Sequence, residues 1–239
     1  MNFSNPFFIF FRSYIRKIIP TIFIKLIRKA FYHENYENNF DQEMIKKLER
    51  NFVVFDVGAN IGFYTKKFAL EVGKSGHVYA FEPVEESASS IEKIQSKYPW
   101  ISLDKIVIGD KNKITPFTIN IEEVSQKNTN NYFGSMVSID DKKDESVPVQ
   151  MNTLDYLMEK YQIPDFLKID VEGFELNVLM GAKKMLQSKK LKHIFIEIHF
   201  ALLEKRGERY GPKKINDLLK KSGFRIRYLD PSHIYAFRD

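Results

Sequence analysis

Five short segments of this sequence carry polar residues where the neighbouring pattern is apolar. "FDVGANIGFYT" places Asp56, Gly58, Asn60 and Gly62 after a β-branched run. "YAFEP" ends an apolar run in Glu82, and "VIGD" ends another in Asp110. "DFLKIDVEG" and "HIFIEIH" carry Lys168, Asp170, Glu172, Glu197 and His199 inside otherwise apolar runs. Central parallel strands normally read as unbroken apolar stretches. Burying charge is costly unless the charge is paired or used. The sequence therefore predicts two sites side by side, a small-molecule turn around Gly58 and a titratable cluster around Asp170 and His199.

The turn excludes one class of ligand. A dinucleotide fingerprint needs three glycines, G-x-G-x-x-G, so that backbone approaches a pyrophosphate. Counting from Gly58, the second and third glycine positions are Asn60 and Phe63. This disfavours a dinucleotide-dependent oxidoreductase and favours a nucleoside cofactor without a diphosphate, of which S-adenosylmethionine is the example. Its amino group seeks an acid such as Asp56, and its carboxylate seeks backbone N–H groups. Its ribose seeks an acid on the next strand, and Glu82 is placed to accept from both hydroxyls. Asp110 is expected to end the third strand and face the adenine edge.

The second cluster suits transfer to an oxygen nucleophile. A hydroxyl must lose its proton and be held in line. His199 is a candidate base, because imidazole titrates near neutral pH. Lys168 and Glu172 are further catalytic candidates, and Asp170 with Glu197 forms a candidate oxygen ligand pair for Mg²⁺. Glu175 reads as dipole complementation at a helix start. His33, His77, His193 and His233 show no ligand-like spacing, and Trp100 reads as packing.

These residues need a frame, and the chain supplies an alternating one. "QEMIKKLER" reads as a helix, "FVVFDV" as a strand and "YTKKFALEV" as a helix stopped by Gly73. "HVYAFE", residues 85–97 and "ISLDKIVIGD" continue as strand, helix, strand. "DFLKIDV" and "HIFIEIH" are strands flanking the helix "ELNVLMGAKKMLQ". "INDLLKKSG" is a helix ending at Gly223, and "FRIRYL" with "HIYAFR" reads as a hairpin. The fold class is α/β, a mainly parallel Rossmann-like sheet with helices on both faces and one antiparallel strand from the hairpin. "ITPFTINI" and "SVPVQM", around the polar loop "SQKNTNNYFGSMVS", read as a β insertion over the ligand side.

Composition sets the remaining bounds. Hydrophobic content of 44% with 21 Phe and 12 Tyr fits a packed domain. The absence of Cys excludes disulfides and thiolate metal sites. The net charge of +6 belongs to residues 1–33, where Arg12, Arg16, Lys17, Lys25, Arg28 and Lys29 stand without an acid. The remainder is neutral, which argues against a nucleic-acid enzyme. Residues 1–33 read as two amphipathic basic helices meeting at Pro20, too interrupted to span a bilayer and suited to lie in its interface. Residues 33–40 read as a polar linker. Two parts result: an N-terminal segment at 1–40 and a catalytic domain at 41–239, expected in the cytoplasm, with peripheral contact at the inner membrane face.

"VVFDVGANIGFYT", "FEPVEESASSI", "NTLDYL", "DFLKIDVEGFELNVLMGA" and "IEIH", in this order, resemble the FkbM-type S-adenosylmethionine-dependent methyltransferases. The resemblance runs from about Phe52 to the C-terminus. It implies a class I methyltransferase fold and methyl transfer to oxygen, often of a sugar or natural product. It implies cofactor contacts for Asp56, Gly58, Asn60 and Glu82. Relatives often carry Ser-Ser-Leu in the insertion, where this chain has Ser135-Met136-Val137. The acceptor is expected to be a small molecule or glycan. The competing reading is a non-catalytic membrane- or partner-binding protein on the same scaffold.

Overall fold

The computed structural model describes residues 35–119, 137–138 and 146–239. The amphipathic helices read over residues 1–33, and Tyr132, Phe133 and Ser135 of the insertion loop, lie outside the described residues.

Seven strands form the main sheet. β1 (Val53–Val57) pairs in parallel with β2 (His77–Phe81) on one side and β8 (Phe166–Ile169) on the other. β3 (Ile101–Asp104) extends the sheet beyond β2, and β9 (His193–Glu197) extends it beyond β8. The terminal hairpin, β10 (Arg225–Tyr228) and β11 (His233–Phe237), closes the far edge, with β11 antiparallel to both neighbours. The order is β10-β11-β9-β8-β1-β2-β3, so the winding reverses between β1 and β8. All five β1 residues are buried, as expected of a strand covered on both faces. One apolar layer centres on Phe55, Leu167 and Ile196, and the opposite layer on Val54, Phe166 and Phe195.

Helices α1 (Asn35–Ile45), α2 (Phe63–Val72) and α3 (Glu85–Gln95) precede the insertion. α4 (Leu154–Lys160), α5 (Glu175–Met180), α6 (Phe200–Lys205) and α7 (Gly211–Lys221) follow it. Three expectations need correction. The stretch expected as linker up to residue 40 is helical from Asn35, and Phe40 of that helix is buried. "ISLDKIVIGD" is not one strand. β3 leaves the main sheet at Asp104, and β4 (Val107–Ile108) joins a second sheet with β5 (Lys113–Ile119), β6 (Val137–Ser138) and β7 (Val147–Asn152), in the order β4-β7-β5-β6. The helix expected over 175–187 breaks at Gly181, and only a 3₁₀ turn, Met185–Gln187, follows. Gly181 lies so close to the backbone beyond β4 that a Cβ there would meet the Gly109 carbonyl oxygen at 2.0 Å. The predicted β insertion is present as β5 to β7.

Candidate functional site

In an open α/β sheet the ligand crevice forms beyond the C-terminal ends of the strands, where the winding reverses. Here that point lies between Gly58, after β1, and Asp170, after β8. A cleft opens there with about 670 Å³ of atom-free space, its mouth included. Val57, Gly58, Asn60, Glu82, Asp170 and Glu172 line it together with Arg206 and an apolar set that includes Phe81, Ile108, Phe117 and Phe174.

The turn is shaped by backbone. Gly58, Asn60 and Gly62 have φ of 75°, 49° and 82°. A Cβ on Gly58 would lie 1.8 Å from the Asp170 carbonyl oxygen, so only glycine allows β8 to close against the turn. The Gly58 and Ala59 N–H groups both donate to the Phe81 carbonyl at 3.1 Å, tying the turn to the end of β2. Glu82 is buried, and its two oxygens accept from the N–H groups of Asn60 (2.8 Å) and Val84 (2.9 Å). Burial pushes its carboxyl up to about 7, partly offset by those two bonds. Each carboxylate oxygen keeps a lone pair for a ligand hydroxyl.

Two expected site residues lie beneath this surface. Asp56 is fully buried, accepts from the Thr65 hydroxyl at 2.7 Å and pairs with Lys168 at 3.3 Å. Lys168, expected as catalytic, donates to the Gly58 carbonyl at 2.9 Å and lies 3.5 Å from Asp170. Burial alone would lower the Lys168 ammonium, but the charges of Asp56 and Asp170 outweigh it and raise it. Neither side chain lines the cleft. Together they brace the turn against β8 from below, set back from the places where a ligand contact for Asp56 and chemistry for Lys168 were expected. Asp110 is displaced as well. It follows β4 in the second sheet instead of ending β3, and it does not line the cleft.

Across the cleft, the ends of β8 and β9 bring the second cluster together. His199 N-caps α6. Its Nδ1 donates to Glu175 Oε1 at 2.8 Å. Its Nε2 faces Glu172 at 3.2 Å, Glu197 at 3.7 Å and Asp170 at 3.9 Å. Burial alone would lower the imidazole; the Glu175 bond and the charges of Asp170 and Glu172 outweigh it and carry it up to about 10. With no ion among these acids, the charged imidazole is favoured over the free base expected from the sequence. Burial pushes Glu172 up to about 7 and also raises Asp170, with His199 and Lys168 respectively opposing. Glu172 and Gly173 both have left-handed backbone, φ 51° and 89°, a tight turn that aims Glu172 back at His199.

Two members were missed in the sequence. Glu175 does start α5, as the dipole reading required, but it is fully buried, accepts from the Gly173 N–H at 2.8 Å and holds His199. Its signal was its place two residues after a turn glycine, in a strand-end segment already rich in acid. His233, paired with Glu197 in the β11–β9 register, bonds Asp230 at 2.6 Å and lies 3.5 Å from Glu197. Burial alone would lower it; Asp230 and Glu197 carry it up to about 9. Glu197, expected as half of a ligand pair with Asp170, is thus drawn toward His233. Among the described residues, the group whose ligand atoms converge within 4.8 Å is Asp170, Glu172 and His199.

The model of the methyltransferase FkbM domain matches residues 56–226. The hexuronic acid methyltransferase AglP of Haloferax volcanii is 23% identical over 181 residues, spanning 75% of this chain and 66% of that protein. Just under two thirds of that relative is therefore matched. Among solved structures, a putative rRNA-methylase from Clostridium thermocellum superposes with TM-score 0.46 at 12% identity, covering 85% of this chain and 94% of that one. An S-adenosylmethionine-dependent methyltransferase from Aquifex aeolicus gives 0.44 at 15%, covering 87% and 94%. Residues 56–226 run from the acid beneath the turn past both walls of the cleft, and the chain belongs to the FkbM family of S-adenosylmethionine-dependent methyltransferases.

Proposed function

We propose that this chain transfers the methyl group of S-adenosylmethionine to a hydroxyl oxygen of a sugar or glycan, with a hexuronic acid as the first acceptor to test. The observation that carries the reading is the facing of two unlike walls across one cleft, Gly58, Asn60 and Glu82 on one side and Asp170 and Glu172, backed by His199, on the other. The first wall suits the nucleoside and amino-acid ends of the cofactor. The second suits a hydroxyl that must lose a proton.

When bound, S-adenosylmethionine would supply its methyl carbon to an in-line acceptor lone pair, the electron pair of the broken carbon–sulfur bond staying with sulfur in the departing S-adenosylhomocysteine. The hydroxyl proton passes to a carboxylate oxygen of Asp170 or Glu172. His199 does not take it, because Glu175 engages Nδ1 and the acids surround Nε2. Arg206 reaches the same cleft with its guanidinium 5.6 Å from the Phe174 ring centroid. A planar guanidinium suits an acceptor carboxylate, and the name of the Haloferax relative supports that class.

Methyl-labelled S-adenosylmethionine, offered with hexuronic acids and their neutral sugar counterparts, tests the reading. Label should appear as a methyl ether. Arg206→Met should raise KM for the uronate and leave the neutral sugar unaffected. Turnover on neither class would remove the sugar acceptor. The basic segment at 1–33 is proposed to hold the enzyme reversibly at an anionic membrane surface, each Lys or Arg contributing about 1 kcal/mol. No helix of the described residues is long and apolar enough to cross a membrane. Co-sedimentation with anionic vesicles should fall with salt and vanish when residues 1–33 are deleted; indifference to such vesicles at low salt would discard the contact.

A further inference from the structure

Around His199 the negative charge exceeds the positive. Asp170, Glu172, Glu175 and Glu197 all lie within 3.9 Å of its ring nitrogens. The nearby cations are shared: Lys168 lies between Asp56 and Asp170 and donates to the Gly58 carbonyl, and His233 lies between Asp230 and Glu197. Partly buried carboxylates clustered this way are stabilised when a cation binds among them.

We propose that Asp170, Glu172 and His199 bind one divalent first-row transition ion of the Mn²⁺ kind at the acceptor side of the cleft. The separations fit. Metal–ligand bonds of roughly 2.0–2.2 Å put neighbouring octahedral ligands about 3 Å apart and opposite ones about 4.3 Å apart. Nε2 of His199 lies 3.2 Å from Glu172 Oε2 and 3.9 Å from Asp170 Oδ1, inside that range.

Glu175 provides an independent pointer. A metal-bound histidine characteristically donates its other ring N–H to a carboxylate, which fixes the tautomer and aims the free lone pair at the ion. The fully buried Glu175 makes this bond to Nδ1, and its second oxygen, Oε2, is buried without a hydrogen-bond partner. A buried anion with an unmatched oxygen is expensive by itself and is offset when the imidazole it holds carries positive charge from an ion. The donor set chooses the metal. Imidazole nitrogen suits Fe²⁺ or Zn²⁺ and two carboxylates suit Mn²⁺, so the mixed set suits ions of this kind, and Mg²⁺ prefers oxygen and its own water. This differs from the Mg²⁺ pair of Asp170 and Glu197 expected from sequence, since among the described residues the ligand atoms that converge within 4.8 Å belong to Asp170, Glu172 and His199.

The ion's position rests on these residues alone; its role rests on the methyl-transfer reading. There it would act as a Lewis acid that lowers the pKa of a coordinated hydroxyl, so that the proton passes to a carboxylate oxygen not on the metal.

The test titrates the full chain, stripped of metal by chelator and loaded with S-adenosylmethionine, with Mn²⁺ alone, following the free-ion electron paramagnetic resonance signal. One Mn²⁺ should bind per chain, with Zn²⁺ competing and an equal concentration of Mg²⁺ failing to compete. Glu172→Gln and His199→Ala should each lower affinity more than ~100-fold, and Glu175→Gln by ~10–100-fold, the cost typical of losing an orienting partner. Glu172 is partly exposed, so its amide variant should keep the wild-type melting profile and serves as the folded control. Cofactor binding, measured separately by calorimetry, keeps the two readings apart. Wild-type protein that binds cofactor but takes up no Mn²⁺, or Mn²⁺ affinity unchanged in Glu172→Gln and His199→Ala, overturns the ion site and leaves methyl transfer standing. Mn²⁺ uptake with those losses, but without cofactor binding, supports the ion and overturns the cofactor assignment.

Discussion

Around Gly58 the cleft is shaped by backbone. Three residues with positive φ fold the chain on itself, and the one acid facing the cleft there, Glu82, is held by main-chain N–H groups. Around His199 the cleft is shaped by side chains. Its imidazole is held by Glu175 from α5, faces Glu172 and Asp170 beyond β8, and meets Glu197 of β9, which is itself held by His233 of β11. The first wall is a local structure written in consecutive residues. The second is a charge network gathered from three strand ends and a helix start. A wall of backbone tolerates changes nearby and fails when a glycine is lost. A wall of paired charges loses function whenever one partner is removed, because the others are left unmatched.

The largest expected effect tests the brace between the walls. Lys168→Met leaves the buried Asp56 without its cation and with only the Thr65 hydroxyl as partner, and should cost ~3–5 kcal/mol of stability, read from chemical denaturation. A loss under ~1 kcal/mol would show that the turn does not depend on that pair.

Next comes a variant that separates the walls. Asp170→Asn should lower turnover ~10²–10³-fold, the usual range for removing a group that handles a proton. Cofactor affinity should stay within about threefold, since the acid side chain belongs to the other wall. Equal losses in both would mean that the walls act as one.

Glu82→Gln tests the cofactor wall alone. Replacing an ionised acceptor should weaken S-adenosylmethionine binding ~10–100-fold. Wild-type affinity should also depend on pH. Glu82 titrates at about 7, raised by burial. Below that pH the protonated acid loses acceptor capacity, so affinity should fall by up to ~10-fold per pH unit and level off above it. Calorimetry at pH 6 and 8 measures this, and the slope should vanish in Glu82→Gln. A slope that survives the substitution would assign it to another group.

The smallest effect is expected at Asp110→Asn. Because Asp110 lies off the cleft, cofactor affinity and turnover should change less than ~2-fold. A tenfold weaker affinity would put Asp110 back in the adenine seat.

Much of this was present in the sequence because it is local. A β-branched run, two glycines and an acid on the next strand specify a turn and its partner with no knowledge of distant contacts. The alternation of strand and helix likewise specified the parallel sheet and its hairpin, since periodicity follows from which faces are covered. Asp170, Glu172, Glu197 and His199 were legible because charge interrupts an apolar strand. Local pattern failed where two environments ask for the same pattern. "ISLDKIVIGD" is apolar enough for either sheet, and only the pairing of β4 with β7 shows that the chain changes sheets there. The helix after Glu175 ends at Gly181 because another backbone lies against it.

Roles proved less legible than membership. Whether Lys168 faces the cleft or the core is decided by the Gly58 carbonyl and Asp56 on a neighbouring strand. How His199 is oriented is decided by Glu175, and whether Glu197 is free is decided by His233 across the β11–β9 pair. Sequence by itself determined which residues lie at the strand ends, because backbone periodicity and the cost of burying charge act within a segment. Tertiary structure alone decided what each of them does, because protonation and pairing depend on charges a few ångströms away in space that belong to segments far apart in the chain.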